Sequence, residues 1–115
     1  MKNLVSLYFF AELKNGKFEE FKTLVDKIVS VTEKEEGSVS YSYSIGSDGK
    51  TIHIRETYKS DAVVNHITQS FGPFAEEFLT YVDLKTLYVY GEPCEETKNL
   101  LAPFNPNYMN NFSGF

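Results

Sequence analysis

The chain has 115 residues, of which 42% are hydrophobic and 23% are charged, as in a soluble globular protein with a single domain. Its net charge of −5 argues against a surface that binds nucleic acid or an anionic membrane. The lone cysteine, Cys94, excludes an intrachain disulfide and a cysteine-based zinc site. The apolar run near the N-terminus is too short for a signal peptide or a membrane span, so we expect a cytoplasmic protein.

The first third of the chain predicts a strand followed by a helix. Residues 4–13 carry apolar side chains on both faces of an extended segment, which is typical of a strand that is covered on both sides. Residues 17–35 place apolar side chains at helical spacing, and Gly37 supplies the left-handed position that ends a helix.

A hairpin follows this helix. Residues 38–45 alternate between serines and larger side chains, which predicts a strand. The turn at 46–49 is rich in glycine and leads into a returning strand over residues 50–58. The large side chains of the first strand are Val39, Tyr41, Tyr43 and Ile45.

The second half predicts a helical segment, a strand and a tail. Helical pieces on either side of Gly72-Pro73 precede a strand over 83–91. The order βαββαβ indicates an α+β, ferredoxin-like domain over 1–93, with a four-stranded antiparallel sheet and both helices on one face. In the tail, 94–115, the prolines and asparagines make regular structure beyond 95–101 unexpected. Its aromatic side chains predict that it packs on its own domain or on a dimer partner.

Strand parity and helical spacing bring an acid and a histidine together. Glu56 shares one strand face with Ile52 and Ile54, and Ala62 and His66 lie one turn apart on the following helix. If these faces pack together, a carboxyl group and an imidazole enter one apolar enclosure, which is a candidate site. The alternative is that the two groups only satisfy each other as buried polar groups.

Several short motifs in this order carry a resemblance to a known family. They are Glu36-Gly37 before a tyrosine-containing strand, Glu56-x-Tyr58, Ala62-x-x-x-His66 and Tyr90-Gly91-Glu92-Pro93. With these motifs, residues 1–93 resemble the antibiotic biosynthesis monooxygenase family. The resemblance implies a dimeric α+β barrel. It also implies oxygenation of a quinol-, anthrone- or naphthol-like aromatic by dioxygen, without flavin, haem or metal.

The reaction that the resemblance implies needs a base and hydrogen-bond donors, and the residues suggest both. His66 is expected to be the base, Glu56 to orient its ring, and Tyr58, Tyr41 or Tyr43 to donate a hydrogen bond to the anion that forms. The side chains expected to bind the substrate are Tyr41, Tyr43, Phe71, Phe74 and Phe78. We expect no cofactor and no metal, because the chain has no Trp of the kind that haem-degrading relatives use and no cluster of metal ligands. His53 falls on the opposite strand face.

Two other functions fit the same sequence features. A Glu/His pair with tyrosines also suits an isomerase or another proton-transfer enzyme. The third interpretation, after the monooxygenase and the proton-transfer enzyme, is a dimer that binds a small ligand without catalysis. A homodimer is expected in every case, because two helices cover only one face of a sheet whose strands are apolar on both. The expected partners are therefore a second copy and a small aromatic molecule.

Overall fold

The structure, a computed structural model, describes residues 4–14 and 16–115 and shows an α+β protein built on a five-stranded sheet. The strands are β1 (Leu4–Leu13), β2 (Ser38–Ile45), β3 (Thr51–Lys59), β4 (Val82–Gly91) and β5 (Asn107–Met109). The helices are α1 (Phe18–Glu33), α2 (Val63–Asn65), α3 (Ala75–Tyr81) and α4 (Glu95–Leu101). The strand order is β2-β3-β1-β4-β5, so the ferredoxin-like βαββαβ order is confirmed for the first four strands.

The helices lie on one face of the sheet and bury two adjoining groups of side chains. The first group joins α1 and α3 to the sheet through residues such as Phe21, Ile28, Ile54 and Phe78. The second group centres on Tyr58 and joins the strands to α2 and α4. Within the described ranges, none of the helices is both long and apolar enough to span a membrane.

The helical segment 60–81 changes its winding along its length. Short 3-10 turns at Ser60–Ala62 and Gly72–Phe74 flank α2 and a π-helical turn at His66–Phe71. A π turn leaves part of the regular α-helical hydrogen-bond pattern unmade, and such turns are frequent at functional sites. His66 is the first residue of this turn, so the histidine predicted to be functional starts the most irregular part of the segment.

A bulge between β1 and β4 changes which side chains face the helices. Phe10 pairs with Thr86, but the next residue, Ala11, pairs with Leu84, so Lys85 is an extra residue in β4. Strict alternation along β4 would put Leu84 on the face opposite Leu87. In the structure the bulge reverses that parity, and Leu84 packs on the helix side of the sheet.

The tail contributes a fifth strand, and the expectation of no regular structure beyond 95–101 is wrong. β5 pairs in parallel with β4, and the side-chain amide of Asn107 donates to the carbonyl oxygen of Leu87 over 3.1 Å. The content of asparagine and proline alone did not predict that this segment would be extended and pair with β4. The tail thus packs on its own domain as far as β5, whereas the side chains of Phe112 and Phe115 are fully exposed.

The sheet face away from the helices carries a row of aromatic side chains. The rings of Tyr8 and Tyr90 lie 5.2 Å apart, and the ring of Phe10 stacks on His53 at 4.3 Å. Tyr88 also contacts Phe10, at 5.7 Å. No helix of the described chain covers these rings, in agreement with the open sheet face that the sequence predicts.

Candidate active site

A cavity of about 150 Å³ lies between the sheet and the helical segment 60–81. Aliphatic and aromatic side chains from the sheet, from the helical segment and from the tail form most of its wall. The polar groups in the wall are the carboxyl group of Glu56, the imidazole of His66 and the hydroxyls of Tyr41 and Tyr43. An apolar cavity with a few convergent polar groups is the usual form of a site for a small molecule.

His66 lies between two carboxyl groups. Its Nδ1 atom is 2.9 Å from Oε2 of Glu35, and its Nε2 atom is 3.6 Å from Oε1 of Glu56. The hydrogen bond to Glu35 assigns the proton of a neutral imidazole to Nδ1, because a carboxylate only accepts. Nε2 then has a free lone pair that faces Glu56. Their separation exceeds a hydrogen bond, but catalytic contacts often shorten only when a substrate binds.

Close packing at Gly37 brings Glu35 to His66. A Cβ atom at Gly37 would collide with Cβ of Ala62, so only glycine lets the end of α1 approach the start of the helical segment this closely. The backbone N–H of Lys59 also donates to the carbonyl oxygen of Gly37 over 2.9 Å. This junction places the turn that follows α1 directly against the segment that carries His66.

The side chain of Glu56 is buried, and its carboxyl group is a weaker acid than that of an exposed glutamate. Burial raises its pKa to about 8, the negative charge of Glu35 adds to the shift, and a hydrogen bond from Tyr58 opposes it. That bond runs from the Tyr58 hydroxyl to Oε1 of Glu56 over 2.7 Å. At neutral pH the Glu56 carboxyl group is therefore mostly protonated and can donate a proton.

Burial shifts the pKa of His66 in the opposite direction. Loss of solvent lowers the pKa of the imidazole, although the hydrogen bond to Glu35 partly restores it. The usual order of the two groups is thus reversed, because the carboxyl group binds its proton more tightly than the imidazole does. When the surroundings move the pKa values of two neighbouring groups apart, the group with the higher pKa is suited to be the acid and the other to be the base. Here these groups are Glu56 and His66.

Two tyrosines complete the polar end of the cavity. The hydroxyls of Tyr41 and Tyr43 form a hydrogen bond of 2.6 Å, and the ring of Tyr41 meets the ring of His66 edge-on at 5.3 Å. Burial raises the pKa of both phenols, and the nearby Glu56 raises them further. Both side chains therefore keep their protons and remain hydrogen-bond donors.

The structure brings most of the predicted site residues together, and three of them lie differently from the prediction. Glu56 was expected to orient the imidazole, but Glu35 bonds to Nδ1 and Glu56 lies 3.6 Å from Nε2. Phe74 is not part of the cavity wall, although Phe71 and Ala75 on either side of its turn are, and it packs against the buried group of α1, α3 and the sheet. Phe71 and Phe78 do line the cavity. Tyr58 was expected to donate a hydrogen bond to the anion, but it is not part of the cavity wall and its hydroxyl donates to Glu56.

Glu35 was missed from the sequence, although a signal for it exists. The buried face of α1 runs through Phe21, Leu24 and Ile28 to Thr32, which is fully buried. One further step at helical spacing reaches Glu35, so the apolar stripe points to a buried carboxyl group. Among the residues that the structure describes, no group of three or more His, Cys, Asp or Glu side chains has a geometry suited to a metal ion.

Comparison with solved structures identifies the fold. MupZ from Pseudomonas fluorescens has a TM-score of 0.87 at 21% identity, and the match covers 100% of this chain and 90% of that one. SnoaB from Streptomyces nogalater, a cofactor-independent oxygenase, has a TM-score of 0.68 at 14% identity, with 80% and 95% covered. A protein from Nitrosomonas europaea, provisionally described as an antibiotic biosynthesis monooxygenase, has a TM-score of 0.70 at 18% identity, with 80% and 92% covered.

Comparison at the level of sequence adds no relative. No family model matches the chain, and no curated protein matches it. The likeness to the solved structures is therefore a likeness of fold, and it confirms the ferredoxin-like α+β architecture of the single chain. The chain has the ferredoxin-like α+β fold of the antibiotic biosynthesis monooxygenases.

Proposed function

We propose that the protein is an enzyme that uses the pair Glu56 and His66 for acid–base catalysis on a small, largely apolar substrate. The observation that carries this proposal is a buried carboxyl group and an imidazole 3.6 Å apart in the wall of an apolar cavity, and the directions of their pKa shifts support it. A protonated carboxyl group beside a neutral imidazole can give one proton and take another at neutral pH without any added group.

The contacts of the pair support a reaction at the open side of the imidazole. Nε2 of His66 removes a proton from the substrate, while the Glu56 carboxyl group donates to the oxygen on which negative charge develops. Glu35 stabilises the imidazolium that forms, because its Oε2 already accepts a hydrogen bond from Nδ1.

The charges at the site favour a neutral substrate. Two carboxyl groups flank His66, and within residues 4–14 and 16–115 no lysine or arginine lines the cavity. An anionic substrate would lose its water shell on entering and would gain no opposite charge in return. A phenol, a ketone or a similar molecule is neutral, and it has an oxygen that can take the proton from Glu56.

Oxygenation of a small aromatic by dioxygen is the second candidate, and it starts with the same proton transfer. It is supported by the shared fold with SnoaB, a cofactor-independent oxygenase. The anion formed at a methylene carbon passes its electrons to dioxygen, and one oxygen atom is retained. A methylene group and one dioxygen then give a carbonyl group and one water molecule, so the four electrons lost by carbon reduce both oxygen atoms.

Anthrone separates these two activities, because it forms a delocalised carbanion when its methylene group loses a proton. In deuterated buffer without oxygen, the protein is expected to accelerate deuterium incorporation at that carbon, as followed by mass spectrometry. Admission of oxygen then tests the second step through oxygen consumption and anthraquinone formation. Exchange without oxygen consumption indicates a proton-transfer enzyme, whereas both together indicate an oxygenase.

Glu56→Gln is the matched variant for this assay, since glutamine keeps the shape of the side chain but carries no transferable proton. Exchange should fall about 10²-fold or more in this variant. If anthrone and naphthols bind, as judged by an increase in thermal stability, but neither exchange nor oxidation is accelerated, the protein binds such ligands without catalysis and the proposal is wrong.

We also propose that the protein is a homodimer joined through the aromatic row on the open sheet face. Tyr8, Phe10, Tyr88 and Tyr90 there lie side by side and only partly buried. A second copy related by a two-fold axis would remove them from water. Sedimentation at low micromolar concentration should give twice the chain mass of 13.2 kDa. Tyr88→Arg should give the chain mass, whereas a wild-type monomer would contradict the proposal.

A further inference from the structure

The C-terminal tail forms one wall of the cavity. Leu101, at the end of α4, is almost fully buried and lines the cavity, and Phe104 lines it three residues later. The ring of Phe104 meets the ring of Phe9 edge-on at 6.0 Å. Phe9 belongs to the central strand β1 and also lines the cavity, so this contact connects the tail to the sheet at the cavity wall.

Contacts on both sides of Phe104 fix this wall in place. Before it, Thr97 is fully buried and Leu101 belongs to the same buried group as Tyr58. After it, β5 pairs with β4, and the side chain of Asn107 bonds to the backbone of β4. Asn105 takes a left-handed backbone conformation that turns the chain between these two anchors.

The tail adds no polar group to the wall of the cavity. Tyr41, Tyr43, Glu56 and His66 form the polar part of the wall, whereas the tail contributes only the aliphatic side chain of Leu101 and the ring of Phe104. Neither tail residue has a group that could take part in proton transfer. Their chemistry suits contact with the apolar part of a substrate.

We propose that Phe104, backed by Leu101, determines substrate specificity by limiting the length of the apolar part of the substrate. The inference rests on the proposed function only in taking this cavity as the substrate site. The substrate is thus a neutral molecule with one polar end at His66 and an apolar body that ends against the tail. Replacement of Phe104 by a smaller side chain admits longer molecules.

A series of 4-alkylphenols with increasing chain length tests this inference by binding alone. Each methylene group that enters the cavity should improve affinity about fourfold, until the chain reaches the wall. In Phe104→Ala the improvement should continue for two or more further methylene groups, which makes the longest probes at least tenfold tighter than in the wild type. Phe104→Leu, which retains an apolar side chain, should fall between the two. Calorimetric titration measures all three proteins.

Phe112→Ala is the control, because it removes the same ring from the same tail at a fully exposed position. It should reproduce the wild-type dependence on chain length. The same optimum in Phe104→Ala as in the wild type, an equal shift in Phe112→Ala, or no binding of any alkylphenol would overturn the inference. Because no turnover is measured, failure of the acid–base proposal would leave the length dependence intact, and the two failures can be told apart.

Discussion

Substitution of His66 by alanine is expected to reduce deuterium exchange into anthrone by about 10²–10⁴-fold. The variant loses the imidazole whose Nε2 is the proposed proton acceptor, since Nδ1 of the same ring is bonded to Glu35. It also leaves Glu35 buried without its partner, which should cost about 1–3 kcal/mol of stability. Activity should therefore fall far more than the free energy of unfolding does.

His53→Ala is the matched control for this experiment. It removes the other histidine of the chain, whose ring stacks on Phe10 on the opposite face of the sheet. Exchange by this variant should stay close to that of the wild type once the fraction of folded protein is taken into account. If His66→Ala unfolds the protein in proportion to the activity it loses, the Glu35–His66–Glu56 contacts are structural.

Stability is expected to fall as pH rises from 6.5 to 8. The pKa of Glu56 is about 8 in the folded protein and 4.5 without the protein environment. Between these values the folded state holds a proton that the unfolded state has lost, so increasing pH favours unfolding. The lowered pKa of His66 acts in the opposite direction, mainly below about pH 7, because the unfolded imidazole, with its ordinary pKa of 6.5, takes up a proton there. Over the interval from 6.5 to 8 the effect of Glu56 is therefore the larger of the two.

Urea unfolding at several pH values measures this slope, and Glu56→Gln should remove it. The variant has no carboxyl proton to lose, so its stability should be nearly constant over the same interval. Between pH 6.5 and pH 8 the wild type should lose at least about 1 kcal/mol more of its free energy of unfolding than the variant does. Parallel curves for the two proteins would show that Glu56 does not have a raised pKa.

Much of the fold follows from patterns that are local in the sequence. Alternation over 38–45 and helical spacing over 17–35 reflect burial of one face, so they predicted β2 and α1 closely. The fifth strand could not be predicted in this way. β5 has three residues, all of them exposed, and it forms because β4 offers an unpaired edge. Such a strand depends on its neighbour more than on its own residues.

The site was predicted only in part, because strand parity can be read from the sequence whereas long-range packing cannot. Parity placed Glu56 with Tyr58, and helical spacing placed His66 opposite them. The bulge that turned Leu84 into the cavity leaves no mark in the alternation, because a single extra residue reverses it. The approach of Glu35 depends on the contact between Gly37 and Ala62, two residues that belong to different elements.

The reversed order of the pKa values could not be read from the sequence either. It depends on how completely each group is withdrawn from water and on which charges lie nearby. A strand pattern shows that Glu56 faces inward, but it does not show that Glu35 adds a second negative charge beside it. The position of Glu35 at Nδ1 of His66, where Glu56 was expected, is thus a consequence of tertiary packing.

The central claim is that a protonated Glu56 lies beside a neutral His66, and carbon-13 NMR of protein with labelled glutamate carboxyl groups tests it most directly. One carboxyl signal should titrate with a midpoint near pH 8 and should be absent from Glu56→Gln. The ring nitrogens of His66 should show at pH 7 a neutral imidazole with its proton on Nδ1. Titration of every glutamate near its ordinary pKa, or a charged His66 ring at pH 7, would contradict the claim.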